Sequence, residues 1–135
     1  MQYAMTARTS ASFAAASIRI REALTAQGFG VLTEIDVQST LREKLGEDME
    51  QYVILGACNP PLAHRALSAD RSIGLLLPCN VVVRTAGEGT IVEALDPRAI
   101  AAVAGHPELT EIAEDAAARL RAALDTLPPE RQRSR

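Results

Sequence analysis

At 135 residues with 47% hydrophobic content, the chain is large enough to bury a core without disulfides or a structural metal. Its formal net charge of −3 argues against a nucleic-acid partner, because non-specific affinity for phosphate backbones comes from clustered Lys and Arg. The start of the chain has no apolar run behind a basic segment, and no stretch reaches the roughly 18 apolar residues of a membrane span, so a cytoplasmic protein without a membrane partner is expected.

With no Trp, two Tyr and two Phe, the core must be aliphatic, and stacking platforms for bases or sugars are scarce. Weak alternation predicts a strand over 3–8. A helix capped by Ser10 or Ser12 follows to Gln27, with Gly28 in the usual position after a helix end. Phe13, Ala16, Ser17, Ile20, Ala23 and Leu24 share one face of it. Residues 30–37 alternate, with Val31, Thr33, Ile35 and Val37 on one side and Leu32, Glu34 and Asp36 on the other, the pattern of a half-buried strand. A short helical turn over 39–45 closes at Gly46.

Residues 52–58 are apolar on both faces, as in a central strand covered on both sides. Asn59 then caps a helix whose first position suits Pro60, and that helix runs to Ala69 or Asp70. Residues 73–77 are apolar until Pro78 interrupts, and the strand resumes over 80–84. The Ala86-Gly87-Glu88-Gly89 turn sends 90–95 back antiparallel. Asp96-Pro97 opens a short helical piece, and Pro107 starts a long amphipathic helix with Leu109, Ile112, Ala113, Ala116, Leu120, Ala123, Leu124 and Leu127 on one stripe. The order β-α-β-α-β-α-β-β-α predicts an α+β fold with a mainly antiparallel sheet. One domain over 1–127 is expected, with a disordered tail over 128–135 that has nothing to bury.

The segments VILGACNPPLAHRAL (53–67) and IGLLLPCNVVV (73–83) resemble the family known as Domain of Unknown Function 302. The likeness extends to Gly28-Phe29-Gly30-Val31, Glu34-Ile35-Asp36 and Asp96-Pro97. It implies a compact α+β domain whose sheet wraps against the long last helix in a TATA-binding-protein-like layout. It also implies, in many cases, a homodimer. It implies no established activity.

Six residues of the two Cys-Asn motifs form the candidate ligand-binding site: Cys58, Asn59, Pro60, Pro78, Cys79 and Asn80. Cys58 precedes a helix start, where unpartnered N–H groups favour a thiolate. If the two strands are neighbours, Cys58 and Cys79 face each other, and a reversible disulfide or soft-metal pair follows. Equally, both are small buried hydrophobes. Asn59 and Asn80 read first as caps and local backbone partners, and second, with Arg65 and Arg71, as binders of an anionic or carbonyl ligand.

The spacing of Cys58, Cys79 and His64 matches no strong metal pattern, so no metal is expected. His106 reads as a helix-flanking residue, and Glu34 and Asp36 as a solvent-facing pair. Gly87-Glu88-Gly89 lacks the context of a dinucleotide or phosphate loop, and no cofactor is expected. The catalytic residues of any reaction stay unassigned. Three functions stand: a non-catalytic module binding a small ligand or protein partner, a thiol-based redox or sulfur-handling protein using Cys58 and Cys79, and a purely structural or regulatory dimer suggested by the apolar stripe of the last helix.

Overall fold

The computed structural model describes residues 2–130. Five strands, β1 (Ala4–Thr9), β2 (Gly30–Asp36), β3 (Tyr52–Cys58), β4 (Cys79–Ala86) and β5 (Gly89–Leu95), form one sheet in the order β1-β5-β4-β3-β2. All four pairings are antiparallel. The helices are α1 (Phe13–Ala26), α2 (Val37–Leu45), α3 (Pro60–Ala69), α4 (Pro97–Ala104) and α5 (Leu109–Leu124), and a 3₁₀ helix spans Arg71–Leu76. The α+β class, the antiparallel sheet and the long last helix therefore agree with expectation. Two details differ. The segment after Asp96 is a full eight-residue helix, and residues 71–76 wind into a 3₁₀ helix instead of beginning the strand that follows.

Local chemistry accounts for most boundaries. Ser12 Oγ accepts from the Ala15 N–H at 3.1 Å and opens α1. Asp36 Oδ1 accepts from the Ser39 N–H at 2.9 Å, so Asp36 ends β2 and caps α2 in one step. Gly28, at φ 86°, supplies the left-handed backbone that turns the chain from α1 into β2.

One face of the sheet packs on α1 and α5. Val53, Leu55 and Ala57 of β3, Val81 and Val83 of β4, and Val92 and Ala94 of β5 project toward Ile20, Leu24, Leu120 and Leu124. Leu24, Leu55, Val81, Val83 and Val92 are wholly enclosed, and a buried aliphatic side chain of this size contributes about 1.5–3 kcal/mol. The opposite face carries no such helical layer. On it lie Ile54, Val82 and Ile35, together with the Arg84 Nε to Glu93 Oε1 ion pair at 3.1 Å. Strand β3 thus buries its core side chains on the helical side and leaves Ile54 only half-buried on the other, contrary to its two-sided apolar sequence, while α2, which has no buried residue, also contacts it.

Strand β2 departs furthest from its alternation. Its register with β3 shifts between Val31 and Thr33, leaving Leu32 as an extra residue. A bulge of one residue reverses every side chain beyond it. Val31 pairs with Ala57 on the helical face, but Thr33 pairs with Gly56 and Ile35 with Ile54 on the open face. Glu34 consequently swings to the helical side and meets Arg21 of α1 at 2.9 Å. Ile35, expected to be half-buried, is 50% exposed.

A second apolar cluster lies at the sheet end where β3 and β5 finish and β4 begins. Ala66 of α3, Ile73 of the 3₁₀ helix, Ile100 of α4 and Leu109 of α5 form its buried centre. At the other end of the sheet, Pro129 makes an isolated bridge to Thr9, so the chain is still laid against β1 two residues past Leu127. The rest of the expected tail, 131–135, lies outside the described residues. No helix among the described residues is long and apolar enough to cross a membrane.

Candidate functional site

Helix α3 leaves β3 at Cys58, and the chain returns through the 3₁₀ helix to start β4 at Cys79. Ala57 is the direct partner of Cys79 in the register, which puts Cys58 one step diagonal to it. Around this sheet end the second apolar cluster does not close completely, and a cavity of about 410 Å³ remains, bordered by β2, β3, α3, the 3₁₀ helix, β4, α4 and α5. That volume lies toward the lower end of the roughly 300–1,000 Å³ usual for small-molecule sites. Leu62, Ala63 and Ala66 supply the α3 wall, Ile73 and Leu77 the 3₁₀ side, Ile100 the α4 side, and Leu109, Ile112 and Ala113 the α5 wall. Exposed Leu32, Thr33 and Gly74 mark its mouth.

Four of the six candidate residues border this cavity: Cys58, Asn59, Pro78 and Cys79. Pro60 and Asn80 do not. Pro60 is exposed at the first position of α3. Asn80 is exposed opposite Gly56 on the open face, because successive residues of a strand point to opposite sides and Cys79 takes the inner one.

Asn59 acts as a structural link. Its Oδ1 accepts from the Leu62 N–H at 3.3 Å, and its Nδ2 donates to the Gln27 carbonyl at 3.4 Å. Arg119 Nη1 donates to the same carbonyl at 3.3 Å, so one peptide oxygen ties the end of α1 to the start of α3 and the middle of α5. Asn59 is 7% exposed, and its Oδ1 and one Nδ2–H hold these backbone groups.

The start of α3 does not provide the anion-favouring donors expected beside Cys58. Pro60 and Pro61 carry no N–H, the Leu62 N–H is taken by Asn59 Oδ1, and the Ala63 N–H bonds the Asn59 carbonyl at 2.8 Å. A helix start holds an anion through free N–H groups, and this one has none left in its first turn. Cys79 is pushed up to about 11, first by burial and second by the negative charge that Cys58 would carry. It is a neutral thiol at ordinary pH.

Both cysteines are free thiols, and the lining contains no Asp, Glu, Lys, Arg or His. The wall therefore carries no carboxylate or imidazole for proton transfer to a molecule held there. Among the described residues, no three His, Cys, Asp or Glu side chains gather to hold a metal ion. His64, Arg65 and Arg71 are exposed away from the lining. His106 sits between α4 and α5 with its Nδ1 buried and without a hydrogen-bond partner. Asp36 is held below the usual carboxylate range by its bonds to Ser39, and its role is that of a cap.

Of the wall residues outside the two motifs, the sequence reading places Leu109, Ile112, Ala113 and Ala116 on the apolar stripe of the last helix, and the α3 and α4 wall residues on none. Their one distinguishing signal is size: Ala63, Ala66, Ala101, Ala113 and Ala116 put methyl groups where facing helices would close with larger side chains.

The family model described as Domain of unknown function DUF302 matches residues 5–127. A crystal structure of an uncharacterised conserved DUF302 protein from Bacillus stearothermophilus superposes with a TM-score of 0.87 at 35% identity, over 93% of this chain and 98% of that one. No curated protein matches the chain significantly. The chain belongs to the DUF302 family.

Proposed function

For this DUF302 chain, we propose that the cavity at the Cys58–Cys79 end of the sheet is a binding site, and that the protein is a non-catalytic module for a small ligand. The observation that carries the reading is the cavity itself: about 410 Å³ walled by aliphatic side chains from six elements. The space opens to solvent at Leu32, Thr33 and Gly74, so an apolar ligand entering it would release water from an aliphatic wall and gain contacts there. The test is titration of the full chain with the neutral dye Nile red, read by its blue-shifted emission. Ala66→Phe, which puts a ring into the cavity from the buried face of α3, should abolish the signal while circular dichroism stays native. Equal dye binding by wild type and variant would refute the reading.

The thiol-based reading draws support from the two sulfurs bordering one cavity. The neutral Cys79 and the proline-blocked start of α3 weigh against it. Stoichiometric hydroperoxide that removes two hydrogens from the intact mass, and fails to do so in Cys58→Ser, would move it ahead.

The expected homodimer belongs to the same proposal. The open sheet face, with Ile35 half-exposed beside Ile54 and Val82, supports it, and sedimentation equilibrium across concentration tests it.

A further inference from the structure

We infer that the ligand of this cavity is uncharged and hydrocarbon-rich, with at most one neutral acceptor such as a carbonyl, and that ionised amphiphiles of equal chain length are excluded. The inference rests on the binding reading above and deepens it to a ligand class. An ion moved into an apolar site must be met by an opposite charge or by several hydrogen bonds. The lining supplies neither: it has no charged side chain, and the Asn59 amide already spends its oxygen on Leu62 and a donor on Gln27.

What remains is weak and neutral. One N–H of the Asn59 amide is left over, the Thr33 hydroxyl stands at the mouth, and the two thiols border the sheet end of the cavity. A hydroxyl donates one hydrogen bond and a protonated thiol a weak one, enough to orient a carbonyl and too little to hold a carboxylate. Burial of Cys79 keeps its proton in place at neutral pH, so this donor persists. At the mouth, the exposed residues Leu32, Thr33 and Gly74 carry no charge for a headgroup left outside. Leu32, 68% exposed at the mouth, would lie against it, and nearby Glu34 is already engaged by Arg21. The modest volume suits a single medium-length chain or a small ring system better than a two-chain lipid.

The test uses the full chain with Nile red bound, at pH 7.5, and three competitors of matched length: 2-decanone, decanoate and decyltrimethylammonium, each below its aggregation threshold. The ketone is expected to displace the dye at a concentration at least tenfold lower than either ion. Displacement by either ion as effectively as by the ketone would overturn the ligand class while leaving the binding module intact. If Ala66→Phe, with Ala63→Leu as a second blocking variant at a half-buried position, leaves dye binding unchanged in a folded protein, the cavity is not the site and both readings fall together.

Discussion

Gly56 lies in the middle of β3 on the open face of the sheet, and Gly56→Ala probes how tightly the wall beside the cavity is built. A Cβ at this position would run into Thr33 Oγ1 and approach Pro78 Cγ to 2.9 Å. Thr33 is fixed by its place beyond the bulge in β2, and Pro78 by the start of β4, so neither moves freely. Overpacking of this kind costs about 1–3 kcal/mol. Replacing a strand glycine whose φ suits alanine returns roughly 0.4–1 kcal/mol through the unfolded chain. The expected net destabilisation is about 1–2 kcal/mol. In a chain of this size that lowers Tm by roughly 3–10 °C. Urea unfolding followed by circular dichroism should show a lower midpoint at unchanged slope, and Thr33→Ala combined with Gly56→Ala should cost about 0.5–1 kcal/mol less than the sum of the two. Because Thr33 and Pro78 both border the cavity while Gly56 does not, Gly56→Ala should also weaken Nile red binding. A neutral or stabilising effect would refute this account of the wall.

The remaining expectations concern the thiol, the cap and the surface. With Cys79 raised from 9.0 to about 11, the thiol is protonated in both states below pH 9. Between pH 9 and 11 the unfolded chain has lost a proton that the folded chain keeps, so stability falls with rising pH, by roughly 2–3 kcal/mol at most. Urea midpoints at pH 8 and 10.5 should therefore converge in Cys79→Ala relative to wild type, and an unchanged difference would rule out the buried neutral thiol. Asn59→Ala removes the α3 cap and the bond to Gln27 and should cost about 1–2 kcal/mol, read from the same unfolding curves. Arg21→Ala should cost less than about 0.5 kcal/mol, since the Arg21 and Glu34 side chains are 37% and 57% exposed and such pairs are weak.

The sequence carried local structure well and tertiary placement poorly. Ser12, Gly28, Gly46 and Asn59 mark helix ends because caps and left-handed turns are chemistry of single residues. The apolar stripe of α5 gave its buried face for the same reason of local periodicity. In β2 the alternation misled, since the bulge at Leu32 depends on pairing with β3 and leaves no local mark. Likewise the two Cys-Asn motifs look equivalent as dipeptides, yet Asn59 turns in to cap α3 and Asn80 turns out to the open face. At Cys58 the helix start lacks the donors that favour a thiolate, because Pro60 and Pro61 carry no N–H and Asn59 takes that of Leu62. The cavity is a product of how α3, α4 and α5 meet, and only the alanines on their facing sides hint at it.

The bulge at Leu32 also bears on how copies of the protein meet at high concentration. β2 is an edge strand, and an edge with regular spacing is a template on which another chain can add its own strand and start a fibril. The extra residue breaks that spacing. At the opposite edge, Pro129 already occupies the Thr9 end of β1. Strand addition is thus hindered at Leu32 on one edge of the sheet and at Thr9 on the other, which makes both edges poorer templates than regular strands.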